Sequence, residues 1–137
     1  MASATVVKIE DAPVFQRGDG VVTTLLVGKG NAEGTVFTSG LTRFPPGRSA
    51  PLHSHNCGEQ VILLEGEGEV EVDGEITRLK RYDTTYIPAD KPHRFYAVGD
   101  APMLIMWIYG ADHVTRTFTA TGKTVEHLSG GDTVRPA

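Results

Sequence analysis

The sequence predicts an all-β fold: a sandwich or barrel of short antiparallel strands in a single domain. Three observations carry this expectation. Apolar and β-branched runs recur at roughly eight- to twelve-residue intervals. The chain holds 16 glycines and 8 prolines, spread along its 137 residues, so the runs are separated by turns and not by linkers. No stretch before Gly110 shows helical periodicity over a useful length. A chain of this length buries one real core.

Residues 4 to 10 read as a short strand ending at Glu10-Asp11-Ala12-Pro13. Such a strand completes its own sheet or adds to a neighbour's edge. Val21 to Val27 is β-branched and apolar between Gly18-Asp19-Gly20 and Gly28-Lys29-Gly30, hence a strand between turns. Thr35 to Phe44 is the next, interrupted by Gly40, where a bulge or a close approach to the backbone is expected. Pro45-Pro46-Gly47 stops it. Pro51 to His55 and Glu59 to Leu64 follow, and the unbroken Val61-Ile62-Leu63-Leu64 run predicts burial on both faces. Glu65 to Gly68 reads as a turn. Glu69 to Val72 alternates acidic and apolar residues, so one face is solvated. Asp73-Gly74 is the strongest hairpin signal, with Glu75 to Leu79 as the returning strand. Thr84 to Ile87, His93 to Val98 and Met103 to Tyr109 complete the series. Asp112 to Ala137 is polar and Thr-rich and predicts an extended or partly ordered arm with at most one helical turn.

Composition excludes several functions. The formal net charge is −4 and no basic residues cluster, which argues against nucleic acid and anionic membranes as partners. No apolar run approaches the ~20 residues of a membrane helix. The N-terminus lacks a cationic start followed by an apolar core, so no signal peptide is expected. The single cysteine forms no intramolecular disulfide, which fits a reducing compartment. The expected location is the cytoplasm.

Chemistry concentrates between Gly47 and Gly66. His53 and His55 are two residues apart, so an extended backbone points both imidazoles to one face. Asn56, Cys57 and Gly58 turn the chain, and Glu59 opens the next strand beside them. Downstream, Ile87-Pro88-Ala89-Asp90-Lys91-Pro92 is a strand end and a turn, and His93 opens a new strand. His93 would close a set of three imidazoles and a carboxylate. Such a mixed set suits Fe(II), Mn(II), Ni(II), Cu(II) or Zn(II) and argues against a cysteine-rich structural zinc site. Glu59 would ligate the metal or stand beside it as a general base.

These residues resemble the motifs of the cupin family. Gly47, His53, His55, Glu59 and Gly66 match the first motif in full. Pro88 and His93 match the second at its spacing, whereas Tyr82 and Asp90 stand where glycines are usual and Ala97 where an asparagine is usual. None of the departures is a ligand position. The resemblance covers about residues 35 to 110. It implies a double-stranded β-helix, or jelly-roll barrel, over 35–110, with N-terminal strands in 1–34 at the interface of a homodimer and a C-terminal arm in 111–137. It also implies one divalent first-row transition metal per chain, held by His53, His55, Glu59 and His93.

The substrate pocket is less well defined. Arg43, on the strand before the motif, either points inward to grip a carboxylate or faces water. Cys57 is either a thiolate near the metal or a half-buried loop residue; the second is preferred, because a thiolate would disturb an N/O ligand set. Tyr86, Phe95, Met106 and Trp107 are candidates for the lining, with plain core packing as the alternative. Phe95 shares a face with His93 by alternation. His113 and His127 are expected at the surface. The expected function is a metal-dependent, dioxygenase-like enzyme acting on a small oxygen-rich molecule. The alternatives are a non-catalytic module binding a sugar or organic acid, and an O₂-independent isomerase, lyase or decarboxylase.

Overall fold

The computed structural model describes residues 4–136, and among them every regular element but one is a β-strand. The exception is a single 3₁₀ turn at Ile9–Asp11. The strands are β1 (Val14–Gly18), β2 (Val21–Val27), β3 (Thr38–Phe44), β4 (His53–His55), β5 (Glu59–Glu65) and β6 (Glu67–Val72). They continue as β7 (Glu75–Leu79), β8 (Thr84–Ile87), β9 (His93–Val98), β10 (Met103–Tyr109), β11 (Thr115–Phe118) and β12 (Thr124–Glu126). No helix among the described residues is long and apolar enough to cross a membrane.

Two six-stranded antiparallel sheets face each other, in the orders β1-β2-β3-β10-β5-β8 and β12-β11-β4-β9-β6-β7. Successive elements keep changing sheet: β4 lies in the second sheet, β5 in the first, β6 and β7 in the second, β8 in the first and β9 in the second. This alternation is that of a jelly roll. The two sheets bury their inner faces against each other, so the central strands alternate. In β9 and β10 every other residue is buried, including Phe95, Ala97, Ile105, Trp107 and Tyr109.

Gly40 marks both a close approach and an irregular pairing: the β2–β3 register shifts between Leu25, opposite Gly40, and Val27, opposite Ser39. It lies directly opposite Trp107 in the β3–β10 ladder, and a Cβ there would overlap the indole ring and the Thr24 carbonyl. The missing side chain is the space in which Trp107 packs.

Several expectations need correction. Residues 4 to 8 form no strand; the edge of the first sheet is β1, which turns into β2 through Gly18, Asp19 and Gly20, all with positive φ. Β-strand β5 is not buried on both faces: Gln60 is exposed, and Ile62 and Leu64 are half-buried on the outer face. The C-terminal arm is not loose. Its β11 pairs with β4 and β12 with β11, and Asp132 beyond them is among the most buried residues. The alternation Thr115-Arg116-Thr117-Phe118 places Arg116 and Phe118 inward.

The two positions where the second motif lacks its glycines still take the glycine conformation. Tyr82 has φ 73° and Asp90 φ 65°. Asp tolerates the left-handed region, but a tyrosine there carries a cost of roughly 1–2 kcal/mol. The geometry is retained because the turns are tied down: the Tyr82 N–H donates to the Leu63 carbonyl, and the Asp90 N–H to the His55 carbonyl at 2.8 Å. Tyr82 is largely exposed, so its ring adds little beyond stacking on Arg81. Tyr82→Gly is therefore expected to raise stability by about 0.5–1 kcal/mol. Chemical denaturation measures this, and an unchanged or lower midpoint would refute the strain argument.

Candidate metal centre

His53 and His93 stand directly opposite each other in the β4–β9 ladder, so both imidazoles leave the second sheet on its inner face. His55, two residues on, shares that face. Glu59 reaches in from the facing sheet, where it lies opposite Tyr109 on one side and Ile87 on the other. The three histidines and Glu59 are each at most 5% exposed.

Each histidine is oriented by a backbone carbonyl. Nδ1 of His53 lies 2.6 Å from the Pro51 oxygen, Nδ1 of His55 lies 3.0 Å from the Thr115 oxygen, and Nδ1 of His93 lies 2.8 Å from the Lys91 oxygen. A carbonyl only accepts, so each Nδ1 carries the proton and each Nε2 keeps its lone pair. This is the orienting contact that metal-ligating histidines use. One ring nitrogen from each histidine lies within 4.8 Å of the others. Glu59 Oε1 lies 3.0 Å from His93 Nε2 and 3.7 Å from His55 Nε2. A carboxylate facing imidazole lone pairs is repulsive unless a cation or an extra proton sits among them. The donor set therefore fits a divalent metal, and the three histidines could hold one.

The electrostatics agree. Burial, then the charge of Arg116, pushes His53 well below the usual histidine range. Burial pushes His55 down to about 3, although Glu59 opposes this. Burial would raise the Glu59 carboxyl, but an extra proton held between it and His93 when no metal is bound, and the positive charge around it, Arg116 included, hold it below its ordinary value. Tyr109 Oη lies 3.2 Å from His55 Nε2, and burial, with Glu59 nearby, keeps the phenol protonated and donating.

His53, His93 and Glu59 line one wall of a cavity of about 40 Å³, room for roughly three waters, while His55 does not itself line it. Phe95 and Trp107 line it, as do Thr42, Phe44, Ile105 and Tyr109. Trp107 is fixed by its Nε1–H donating to Thr42 Oγ1 at 2.9 Å.

Four pocket candidates fall outside this lining. Arg43 projects from the outer face of β3 and pairs with Glu65 at 3.6 Å; its neighbour Thr42 is the residue that faces inward. Tyr86 lies opposite the exposed Gln60 and is itself 71% exposed. Met106 lies between the inward Ile105 and Trp107 and so faces outward. Cys57 is a half-buried loop residue packed against the core, and burial raises its thiol, so it is no activated thiolate.

The residues that the motif did not reveal come from the chain ends. Arg17 from β1, Arg116 from β11 and His127 after β12 all reach the cavity. One oxygen of Asp132, Oδ1, faces both arginines: Arg17 Nη2 lies at 2.8 Å and Arg116 Nε at 2.9 Å, both ion pairs whose angles miss those of a hydrogen bond. The Leu128 N–H donates to its other oxygen at 2.8 Å. Burial would raise the Asp132 carboxyl, but Arg116 and Arg17 hold it below its ordinary value. His127 is not a surface residue. Its ring packs edge-on against Trp107 and Tyr109, with centroids 5.1 and 4.9 Å away, and burial followed by the charge of Arg116 pushes it down to about 3.

These shifts fix the pH dependence of stability. His53, His55 and His127 are neutral when folded but protonate near 6.5 when unfolded. Between pH 6.5 and about 3 the unfolded chain binds more protons, so stability falls as pH falls through that window. The lowered Glu59 and Asp132 carboxyls act in the same direction at more acid pH. The melting temperature of metal-free protein is expected to be flat from pH 9 to 7, then to drop progressively. His127→Gln should make the drop shallower; an identical slope would show that His127 is not buried as the neutral form.

Two facing antiparallel sheets with three carbonyl-oriented histidines and a glutamate between them define a small jelly-roll barrel whose interior could hold a metal ion. The chain belongs to the cupin family: the family's cupin domain model matches residues 40–109. An uncharacterised protein of Methanocaldococcus jannaschii is 36% identical over 63 residues, 45% of this chain and 50% of that protein. A 5-nitrosalicylic acid 1,2-dioxygenase of a Bradyrhizobium species is 34% identical over 87 residues, 61% of this chain and 42% of that protein. The matches thus span half or less of the length of these curated relatives. A solved structure from Thermotoga maritima, described as a predicted oxalate decarboxylase, superposes with a TM-score of 0.68 at 21% identity, over 77% of this chain and 98% of that one. At that identity the likeness is one of fold.

Proposed function

We propose that this cupin is a metal-dependent, dioxygenase-like enzyme acting on a small, oxygen-rich organic molecule. One divalent first-row transition metal per chain would be held by His53, His55 and His93, with Glu59 as the fourth ligand. The observation that carries the reading is the convergence of three Nε2 lone pairs and a carboxylate on one buried point. The likeness to a 5-nitrosalicylic acid 1,2-dioxygenase, over 61% of the chain, supports it.

A bound metal of this class polarises substrate oxygens, activates water or binds O₂. The protein's own residues do the rest. The carbonyls of Pro51, Thr115 and Lys91 keep the imidazoles in the ligating tautomer. Phe44, Phe95, Ile105 and Trp107 exclude water from the reacting face. Glu59, when not ligating, accepts a proton from the substrate, and the Tyr109 hydroxyl donates one to an oxygen within reach.

Metal content by mass spectrometry on untagged protein, followed by anaerobic loading with Fe(II) and O₂ uptake with small enols, diketones and organic acids, tests the proposal. About one metal per chain and substrate-dependent uptake are expected. No metal after reconstitution would overturn it. Metal without uptake would favour O₂-independent proton transfer, for which Glu59 and Tyr109 are a ready acceptor and donor.

A further inference from the structure

Two arginines line the cavity, yet only one of them is fully used. Arg17 Nε donates to the Asp132 carbonyl at 2.8 Å, Nη1 to Thr23 Oγ1 at 2.9 Å, and Nη2 pairs with Asp132 Oδ1 at 2.8 Å. Each of its nitrogens has a partner. Arg116 makes one ion pair among the described residues, through Nε to Asp132. Its Nη1 and Nη2 make no hydrogen bond or ion pair there. Yet the side chain is 7% exposed, and these two nitrogens are not among the sealed, unpaired atoms. They therefore keep some accessibility, and Arg116 is one of the residues that line the cavity.

The register explains why the group points at the metal centre. Arg116 lies directly opposite His55 in the β4–β11 ladder, so both side chains leave the same face of the second sheet. A buried guanidinium with two unpartnered NH2 groups is a costly arrangement that an anion relieves.

Charge sets the ligand's sign. Arg17 and Arg116 contribute +2, Glu59 and Asp132 contribute −2, and the neutral imidazoles nothing, so these groups sum to zero. A divalent metal added to that balanced set leaves the cavity positive.

We propose that Arg116 is the carboxylate-binding residue of this site, and that its Nη1/Nη2 fork selects a compact organic acid as substrate. The proposal rests on the metal-centre reading for the ligand's second anchor. Planar guanidinium and carboxylate groups pair in a bidentate fashion, which a lysine does not reproduce. Asp132 restrains Nε, so the fork is held before the ligand arrives. The volume of about 40 Å³ limits the ligand to a few heavy atoms. An uncharged analogue of the same shape leaves the guanidinium unpaired and is rejected.

The test titrates oxalate, glycolate, pyruvate and malonate, each beside its neutral amide, into metal-loaded and metal-free protein by calorimetry. Wild type should bind at least one acid more tightly than its amide. Arg116→Gln should lose about tenfold to a hundredfold affinity for that acid and none for the amide. It should keep its metal, because Arg17 and Asp132 remain a balanced pair. Arg116→Lys should recover only part of the loss. Equal binding of acid and amide by wild type, no binding of any of the acids, or Arg116→Gln binding the acid as wild type does would each overturn the proposal. Metal analysis of the same samples reads the metal centre separately: absent metal with a surviving acid preference in the metal-free protein would sink the function and leave the Arg116 site standing.

Discussion

Asp132→Ala is expected to cost about 3–5 kcal/mol, because it strands two buried guanidinium groups without their shared counter-ion. Arg17 and Arg116 approach Asp132 Oδ1 at 2.8 and 2.9 Å, and the carboxylate side chain is 0% exposed. No other carboxylate pairs with either arginine among the described residues. Against a total stability of about 5–15 kcal/mol, the loss is a large fraction. Thermal unfolding followed by circular dichroism should show a melting temperature lower by at least ~10 °C. Arg116→Gln should cost far less, since Arg17 and Asp132 stay paired. A melting temperature for Asp132→Ala within a few degrees of wild type would mean that the C-terminal segment does not dock as seen.

His93→Ala should abolish metal retention while leaving the barrel folded. His93 is central: it lies opposite His53, its Nδ1 is tied to Lys91, and its Nε2 faces Glu59 at 3.0 Å. Its loss leaves two imidazoles on one strand and a carboxylate across the cavity, and the void admits water as a competing ligand. Metal content after dialysis is expected to fall from about one per chain to near zero, with the circular dichroism spectrum of wild type. Glu59→Gln should retain more metal than His93→Ala, because three neutral nitrogens remain. Full occupancy in His93→Ala would place the metal elsewhere and remove the basis of the proposed function.

The strand runs and the four candidate ligands were legible in the sequence because the signals are local. A histidine pair two residues apart needs only an extended backbone to share a face, and a turn of three residues brings Glu59 alongside. Even the missing glycines of the second motif did not mislead, since Tyr82 and Asp90 adopt the left-handed backbone at some cost. One pocket error was avoidable: Met106 and Trp107 are adjacent in a strand, and period two forbids both from facing the cavity. The sequence also contained Ile105 and Tyr109, the residues that alternate with Trp107 on the inner face.

By itself the sequence determined the all-β class, most of the strand runs and the candidate histidine and glutamate set, which depend on interactions spanning a few residues; it missed β1, and the turn expected at Glu65 to Gly68 is already strand from Glu67. Only the tertiary structure decided what fills the cavity. Arg43 was the arginine next to the motif, but register turns it to the outer face. Arg116, 61 positions from His55, becomes its cross-strand neighbour only when β11 pairs with β4. The C-terminal arm, polar and Thr-rich, folds inward because Asp132 neutralises two arginines there, and that charge balance exists only once both ends of the chain meet at the barrel.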